Sequence, residues 1–549
     1  MSLRSHLALP LAISALAVLA ACGNNGSGVT TGTPPPTGAF SNSNLNGTYV
    51  FSISGTDNII GAPYAALGVF TANGSGSISG GAIDMNDAAF PSSSPVISPV
   101  ANAAITSGSY TVGADGRGQA SLSVTTPLGS SIVLDFVLQD SSHGLVTQFD
   151  SGATGSGTLD VQTAGVTPTG AYAFLLAGAT TSGSVYGAAG NFTVSGNSLS
   201  GLADVNSGGI IAYTDQALTG SFAVGPSSTP STTFSSSNLG GTFDVIAIDA
   251  SHLKFIELDA NATLSGDAFS QPSTSLPAGN LAFTIAGCSP CGSSTSATPL
   301  ALGGFMVSDG NGNITNASTE DYNVGGNLST TSGTFSATYT GGTGRFVISN
   351  FASFVGGTSY VAYPSSGGLL LMEIDSSGFS MGAANAQQSG ATFASAEGYG
   401  LNLTGSNLLS GFSGSTLVEV DDIAEFTAKS GGTLTGVIDE NFAPNGGPNY
   451  GLGLSSGQYA APDSNGRGSL SSAAGNSNNS TLNGGFNLIY YSVDGTTFPF
   501  IELDSTQFAV GVMEKQNASA SSKSATRAHM FILPRLMAVH PMTMTKKWR

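Results

Sequence analysis

The chain has little charge, and its few positive charges are unevenly placed. Only 8% of its 549 residues are charged, and 13 lysines and arginines stand against 32 aspartates and glutamates, which gives a formal net charge of −19. Binding to nucleic acid requires clustered cations that neutralise phosphates, so this composition argues against a nucleic-acid partner. Seven of the cations fall in the last 35 residues: Lys515, Lys523, Arg527, Arg535, Lys546, Lys547 and Arg549.

Residues that commonly build catalytic sites are also scarce. The chain has 5 histidines, of which only His143 and His252 lie in its central part. A serine hydrolase needs a histidine beside its nucleophile, and no Gly-x-Ser-x-Gly motif here has such a partner. No phosphate-binding or dinucleotide-binding loop opens a helix, because the central part of the sequence shows no helical periodicity. The sequence therefore predicts a protein that is not an enzyme and carries no cofactor.

Only 3 cysteines are present, Cys22, Cys288 and Cys291. One Cys-x-x-Cys pair cannot supply the four ligands of a structural zinc site. In an oxidising envelope compartment, Cys288 and Cys291 are expected to form a local disulfide.

The first 22 residues have the pattern of an export signal. Arg4 precedes an apolar run, Leu7 to Leu19, which is shorter than the ~20 residues that span a bilayer. The residues that follow, Leu19-Ala-Ala-Cys22, resemble the lipobox of bacterial lipoproteins. The resemblance implies that residues 1–21 are a signal peptide and that an acylated Cys22 anchors the protein to a membrane.

The residues after Cys22 indicate which membrane the protein is anchored to. In lipoproteins of double-membraned bacteria, an aspartate after the cysteine commonly retains the protein at the inner membrane. Gly23 at this place therefore implies an outer-membrane lipoprotein of the cell envelope, on either face of that membrane. Residues 22–40 are rich in glycine, threonine and proline and are predicted to form a disordered tether.

The rest of the chain has the composition of turn-rich β-structure. Hydrophobic residues make up 40% of the chain, which is too much for a disordered protein. The 77 glycines have no collagen period and stand mostly between short alternating segments, as turn residues do. Because the chain is too long for one compact core, several all-β domains are predicted.

Four sequence markers recur in one order and identify four repeats. The first is an alternating opening segment that ends on Gly55, Gly178, Gly287 or Gly405. The second is Asp-x-Asn, at Asp84/Asn86, Asp204/Asn206, Asp321/Asn323 and Asp439/Asn441. The third, an Asx-Gly-Arg-Gly turn, occurs at Asp115 and Asn465. The fourth is Glu-x-Asp or Gln-x-Asp with a later glutamine, at Gln148/Asp150/Gln162, Glu257/Asp259/Gln271, Glu373/Asp375/Gln387 and Glu502/Asp504/Gln516.

These markers place the repeats at 41–163, 164–272, 273–389 and 390–517, followed by a basic, Met-rich tail at 518–549. Short turns between consecutive strands predict an antiparallel β-meander, and each repeat is expected to form a small barrel or a two-sheet sandwich of about eight strands. The strands predicted in the first repeat are 47–54, 64–72, 76–83, 107–113, 118–125, 131–139, 144–149 and 154–161.

Two groups of polar residues are candidate sites. The Glu-x-Asp pairs could supply the two carboxylates of a glycosidase, but their recurrence and the turn-like residues after each aspartate favour a solvent-facing strand edge with a turn-initiating aspartate. Asp309, Asn311 and Asn313 are weak calcium candidates, with Asx-turns at a hairpin end as the alternative.

The whole chain resembles tandem, Gly/Ser-rich β-repeat lipoproteins of soil bacteria. It is predicted to be a lipid-anchored, non-enzymatic envelope protein that acts as a structural, adhesion or interaction module, with a protein, glycan or small-ligand partner. One alternative is small-ligand binding inside barrel-like repeats, and a second is a surface hydrolase. The tail is either an extension past the last repeat, disordered or forming a short helix, or a segment that binds anionic lipid headgroups. For ligand binding, a hollow interior would be lined by Tyr49, Phe51, Phe70, Tyr110 and Phe136.

Overall fold

A computed structural model describes most of the chain between residues 38 and 519. It leaves out residues 59–60, 88–98, 127–128, 182, 210, 227–230, 292–296, 330–331, 352–357, 410–415, 444–446 and 476–484. The predicted signal peptide, Cys22, nearly all of the tether and nearly all of the C-terminal tail lie outside the described residues.

The described chain is all-β and forms four closed antiparallel barrels in tandem, so the barrel alternative holds and the sandwich does not. Each barrel contains only strands from one predicted repeat, joined in chain order, and the last strand pairs with the first. A short 3-10 helix, Asn42–Asn44, precedes the first strand.

Barrel 1 consists of β1 Asn46–Asp57, β2 Pro63–Asn73, β3 Ser77–Asp87, β4 Val100–Val112, β5 Arg117–Thr126, β6 Gly129–Leu138, β7 His143–Phe149 and β8 Ala153–Val161. Barrel 2 consists of β9 Gly170–Ala179, β10 Val185–Ser195, β11 Ser198–Ser207, β12 Ile211–Ser221, β13 Thr232–Ser235, β14 Gly240–Asp249, β15 His252–Glu257 and β16 Ser265–Ser270. Each of the eight predicted strands overlaps one strand of barrel 1, but β4 begins at Val100, seven residues before the predicted start.

Barrel 3 consists of β17 Gly279–Cys288, β18 Pro299–Ser308, β19 Asn313–Val324, β20 Asn327–Leu328, β21 Gly333–Gly342, β22 Arg345–Phe351, β23 Thr358–Ser365, β24 Gly368–Glu373 and β25 Phe379–Ala386. It closes through the β18–β19 pairing, and the two-residue β20 lies beside β19. Barrel 4 consists of β26 Gly398–Leu409, β27 Thr416–Lys429, β28 Thr433–Ala443, β29 Asn449–Ala460, β30 Arg467–Gly475, β31 Gly485–Tyr491, β32 Thr497–Glu502 and β33 Gln507–Lys515.

Barrel closure explains the glycine that ends the first marker. Gly55 on β1 lies directly opposite Gly155 on β8, and a Cβ atom on Gly55 would fall 2.1 Å from the carbonyl oxygen of Thr154. Only glycine therefore lets the first and last strands approach this closely. A Cβ atom on Gly178, Gly287 or Gly405 would likewise fall 2.3, 1.9 or 2.2 Å from a backbone carbonyl oxygen.

The described barrel interiors are packed with apolar side chains. In barrel 1, the rings of Tyr49 and Phe51 lie 6.2 and 6.0 Å from the ring of Phe70, and Tyr110 and Phe136 belong to the same buried cluster. Phe40 and Leu45, which precede β1, are also part of this core. The residues proposed to line a hollow interior thus fill it.

Four further apolar clusters lie between barrels rather than inside them. Val50 and Leu67 of barrel 1, for example, pack against Ile246 and Ile256 of barrel 2. Similar clusters join barrels 2 and 3, barrels 3 and 4, and barrels 4 and 1. Strands at these contacts are buried on both faces, so each barrel is held by its neighbours as well as by its own core.

Candidate functional site

The asparagine of each Asp-x-Asn marker joins one barrel to the next. Asn86 of barrel 1 donates from Nδ2 to the carbonyl oxygens of Glu257 and Ala262 in barrel 2, at 2.7 and 2.8 Å. The equivalent donors are Asn206 to Glu373 and Gly378, Asn323 to Glu502, Asp504 and Gln507, and Asn441 to Gln148, Asp150 and Ala153. Each of these four contacts joins one barrel to the next, and the fourth joins barrel 4 back to barrel 1, so the barrels form a closed ring.

The glutamine after each fourth marker makes a second set of contacts around the same ring. Gln516, which follows barrel 4, donates from Nε2 to the carbonyl oxygens of Asp115 and Leu138 in barrel 1, at 2.8 and 3.0 Å. Two of the four markers thus recur because they connect barrels. The other glutamines donate in the same way: Gln162 to Ala247, Gln271 to Gly344 and Pro364, and Gln387 to Asn465 and Ser492.

The Glu-x-Asp pairs are only partly as predicted. The aspartates do initiate turns: Asp259 Oδ1 accepts a hydrogen bond from the backbone nitrogen of Asn261 at 2.9 Å, and Asp375 and Asp504 act likewise. The glutamates, however, are buried inside their barrels instead of facing solvent, with Glu257 and Glu373 1% exposed and Glu502 0% exposed. The solvent-facing strand edge was therefore a wrong interpretation for the glutamate.

Burial also changes the acidity of these glutamates. Loss of solvent, reinforced by Asp259, raises the pKa of Glu257 to about 9, and burial raises that of Glu373 to about 7. Burial also raises the pKa of Glu502 well above its usual range. Their oxygens accept bonds from the barrel itself, such as Ser380 Oγ to Glu373 Oε2 at 2.7 Å. Burial thus favours the protonated form of these carboxyls in barrels 2, 3 and 4, whereas barrel 1 has Gln148 at the corresponding position.

Both histidines of the folded part belong to one buried charge network. His143 of barrel 1 lies between Asp160, at 2.6 Å from Nδ1, and Glu514 of barrel 4, at 3.0 Å from Nε2. Although burial opposes ionisation, the two carboxylates raise the pKa of His143 to about 9. The imidazolium therefore forms an ionic contact between barrels 4 and 1.

Barrel 2 extends this network with a buried lysine. Lys254 Nζ donates to Thr158 Oγ1 of barrel 1 at 2.8 Å and to Asp267 Oδ1 at 3.0 Å, and lies 3.8 Å from Asp160. His252 completes the series, with Nε2 2.7 Å from Asp267 Oδ1. The network thus runs across three barrels, which is an arrangement that the sequence analysis did not find.

A carboxyl pair unique to barrel 4 was also missed. Asp421 accepts hydrogen bonds from Thr154 and Ser156 of barrel 1 at 2.9 and 2.8 Å, and Glu419 accepts one from Thr56. Burial raises the pKa of Asp421 to about 6. The sequence feature that could have indicated this pair is the stretch from Glu419 to Glu425, which has four carboxylates in seven residues of a weakly charged chain. Both side chains are at most 1% exposed, so they act in the barrel contact.

Charge as a whole lies inside the ring. Of the 32 aspartates and glutamates, 21 are buried, 9 are partly buried, and Asp215 and Asp463 are exposed. The outer strands present mainly serine, threonine and glycine, as in β4 and β5. Among large hydrophobic side chains in the described part of the chain, only Val224 is exposed. The outer surface is therefore polar and nearly uncharged.

The two other candidate sites lie on barrel 3. Cys288 and Cys291 form a disulfide, as expected, and its Cys291 end packs against Gly209 of barrel 2. Asp309 forms an exposed Asx-turn, accepting bonds from the backbone nitrogens of Asn311 and Asn313 at 2.7 and 2.9 Å. The side-chain hydrogen bond from Asn313 Nδ2 to Asp309 Oδ2, followed by these two backbone bonds, lowers the pKa of Asp309. Within the described ranges, no cluster of three or more histidine, cysteine or acidic residues is arranged to hold a metal ion.

Two small cavities lie where barrels meet. One, of about 40 Å³, is bordered by Ser52 and Thr158 of barrel 1, Lys254 and Asp267 of barrel 2, and Met381 of barrel 3. The other, of about 60 Å³, lies between barrels 3 and 4 beside Glu419 and Phe379. Cavities of this size hold one or two water molecules, whereas pockets for small organic ligands measure about 300–1,000 Å³.

No protein-family model matches the chain, and no curated protein resembles it significantly. None of the helices that the structure describes is both long and apolar enough to cross a bilayer. The site that the geometry identifies is the set of four barrel contacts, where the sequence markers, the buried charges and the disulfide meet.

Proposed function

We propose that this protein is a lipid-anchored, non-enzymatic lipoprotein of the cell envelope, whose four barrels act together as one structural or adhesive platform. The observation that carries the proposal is the use of the repeat markers in contacts between barrels. Asn86, Asn206, Asn323 and Asn441 all donate to a neighbouring barrel. Because the recurring polar residues hold the barrels to one another, we expect the protein to have a fixed shape.

The packed barrel interiors favour a structural or adhesive role over ligand binding inside the barrels. Barrel 1 places all five candidate lining aromatics in one buried cluster, and barrel 4 stacks Phe393 on Tyr399 with ring centres 4.1 Å apart. A ligand would have to displace these rings, at a cost of about 3–5 kcal/mol for each aromatic side chain removed from a core.

The positions of the chain ends fit an anchored platform. Asn44, in the 3-10 helix before β1, donates from Nδ2 to the carbonyl oxygen of Ala518 at 3.0 Å, so the described chain enters and leaves the ring at one place on barrel 1. Under the proposal, acylated Cys22 holds this side towards the outer membrane. The nearly uncharged outer strands would then meet a protein or glycan partner through hydroxyl groups and backbone atoms.

The anchor is tested by replacing Cys22 with serine. The native protein is expected to sediment with membranes and to enter the detergent phase on phase separation, whereas Cys22→Ser should remain in the aqueous fraction. The variant keeps the size and polarity of the side chain but removes the thiol that carries the lipid. Sedimentation of Cys22→Ser with the membrane would contradict lipid anchoring.

The non-enzymatic role is tested by comparing two classes of variant in cells that lack the protein. The triple variant Glu257→Gln, Glu373→Gln, Glu502→Gln should support normal envelope resistance to detergent, because glutamine retains the shape of the protonated acid. A variant that opens the ring, Asn323→Ala with Asn441→Ala, should not. Loss of function in the glutamine variant alone would favour the hydrolase.

A further inference from the structure

The ring of barrels has two different faces. The wall of each barrel has eight strands that alternate in direction, so the chain enters and leaves a barrel at the same end. The glutamine of each fourth marker follows the last strand at this end and donates to turns or strand ends at the same end of the next barrel. The asparagine of each Asp-x-Asn marker lies at the other end and donates to the corresponding end of the next barrel. The ring therefore has a glutamine face, defined by Gln162, Gln271, Gln387 and Gln516, and an asparagine face, defined by Asn86, Asn206, Asn323 and Asn441.

Both ends of the described chain leave the ring on the glutamine face of barrel 1. Asn44 donates to the carbonyl oxygen of Ala518 at 3.0 Å, and a Cβ atom on Gly38 would lie 3.6 Å from Ala518 Cβ and 3.7 Å from Ser519 Oγ. Sixteen peptide bonds connect Cys22 to Gly38, and a stretch of this length spans at most about 58 Å when fully extended. The tail, residues 518–549, therefore begins within about 60 Å of a lipid attached to Cys22.

The tail is opposite in charge to the rest of the chain. Of the 13 cations, 6 lie in the tail, which has no aspartate or glutamate, whereas the other residues hold 7 cations and all 32 acids. In the described barrels, most cations are paired with a carboxylate: Arg117, Lys254, Arg345, Arg467 and Lys515. The cations of the tail have no acid within their own segment, so an anionic partner has to come from outside it. They are Lys523, Arg527, Arg535, Lys546, Lys547 and Arg549.

The surface around the two chain ends is uncharged. This exit patch consists of residues 41–46, 73–77 and 517–519, which are serine, asparagine, glycine, leucine and alanine. The backbone nitrogen of Gly74 donates to the carbonyl oxygen of Leu45 at 3.2 Å, which joins the β2–β3 turn to the start of the chain. Asp115 and Asp140, in the neighbouring turns, are at most 2% exposed. An anionic surface can therefore approach this patch without meeting an exposed acid in it, although the whole chain is acidic.

Apolar residues accompany the cations of the tail. Phe531-Ile-Leu533 lies between Arg527 and Arg535, and Trp548, the only tryptophan of the chain, lies between Lys547 and Arg549. Aromatic and aliphatic side chains interspersed with lysine and arginine are typical of segments that bind the interface of an anionic membrane. The composition thus favours a lipid surface over a soluble anion as the partner.

We propose that the tail binds anionic lipid headgroups of the membrane that holds the lipid anchor, and that the glutamine face of the ring lies towards this membrane. The choice of membrane rests on the proposed anchoring through Cys22, whereas the affinity of the tail for anionic lipid does not. Each lysine or arginine near a negatively charged membrane strengthens binding by up to about fivefold, and salt screens this attraction. The asparagine face then points away from the membrane, towards other partners.

Vesicle binding by the unlipidated protein tests the tail independently of the anchor. The probe is the mature chain, residues 22–549, with Cys22→Ser, and the vesicles are phosphatidylcholine alone or with about 30% phosphatidylglycerol, which makes their surface negative. Cosedimentation should show at least about tenfold tighter binding to the anionic vesicles at about 0.05 M salt than at about 0.5 M salt. Absence of binding to anionic vesicles, or equal binding to neutral ones, would overturn the proposal without affecting the test of lipid anchoring.

Two variants show whether charge in the tail is responsible. Replacing all six cations of the tail by glutamine should remove the preference for anionic vesicles, while exchanging each lysine for arginine and each arginine for lysine should retain it. Circular dichroism should be the same for both, because the barrels end before the tail. Binding that survives in the glutamine variant, or that inorganic phosphate abolishes at matched ionic strength, would contradict a membrane-binding tail.

A second pair of variants tests the orientation of the ring. Ser43→Glu with Ser75→Glu adds two charges to the exit patch, and Ser130→Glu with Ser151→Glu adds two at the opposite end of barrel 1; all four serines are exposed. The first pair should weaken binding to anionic vesicles by about five- to twentyfold, and the second by less than about twofold. Equal effects of the two pairs would refute the orientation of the glutamine face towards the membrane.

Discussion

Asn441 holds barrel 4 against barrel 1, and its replacement by alanine should weaken the closure of the ring. The side chain is 0% exposed, and Nδ2 lies 2.9, 3.4 and 3.2 Å from the carbonyl oxygens of Gln148, Asp150 and Ala153. An amide nitrogen has two hydrogens, so these three contacts amount to about two full hydrogen bonds. Alanine leaves the carbonyl oxygens buried and unpaired, and at about 1–3 kcal/mol for each unsatisfied group we expect a loss of about 3 kcal/mol in the free energy of unfolding.

Urea unfolding followed by far-ultraviolet circular dichroism measures this loss. Asn441→Asp provides a sharper comparison, because it retains the shape but directs carboxylate oxygens at three carbonyl oxygens, and it should destabilise the protein more than alanine does. Asn197→Ala is the control, since Asn197 is exposed in a turn and makes no side-chain hydrogen bond in the described structure; its effect should stay within about 0.5 kcal/mol. If Asn441→Ala behaved like this control, the ring contacts would not be a source of stability.

Three further predictions concern stability. Arg345→Met should lower the free energy of unfolding by about 3 kcal/mol, because it leaves Asp204 buried without its cation; Arg345→Lys should lose less, and equal melting temperatures for Arg345→Met and the native protein would contradict this role. Because burial raises the pKa of Glu257 to about 9 and that of Glu373 to about 7, the folded state binds protons more tightly than the unfolded state, so stability should fall as pH rises from about 5 towards 9. The fall should be shallower in Glu257→Gln, and a parallel pH profile would refute this reasoning. The double variant Cys288→Ser, Cys291→Ser should lose about 2 kcal/mol through the entropy of the short loop, a change that thermal unfolding with and without reductant checks.

The barrels could be predicted because their signals are local. Alternation with period two located the strands, and Asn-Gly and Asp-Gly turns such as Asn73-Gly74, where the glycine φ is +76°, separated them. The strands of each barrel fall within one of the four intervals that the markers define. Eight strands in the first repeat follow from these patterns without any knowledge of long-range contacts.

The ring could not be predicted from the same patterns. Period two puts Ile256 and Glu257 on opposite faces of β15, but it does not say which face points inwards, and burial on both faces removes the usual cue. Ile256 contacts barrel 1, whereas Glu257 lies inside barrel 2. Asp-x-Asn likewise has the signature of an ordinary Asx-turn, and only the position of the neighbouring barrel shows that Asn86 donates outwards.

Contact between the two ends of the described chain has a consequence for biogenesis. Barrel 1 emerges first during synthesis, yet Asn44 meets Ala518 only 474 residues later, and the carbonyl groups of Asp115 and Leu138 meet Gln516 only 401 and 378 residues later. During that interval its carbonyl groups at Asp115 and Leu138 lack their final donor. A chain truncated before Gln516 would leave these two carbonyl groups permanently without this donor. An incomplete product therefore exposes a surface that complete molecules cover when the ring closes.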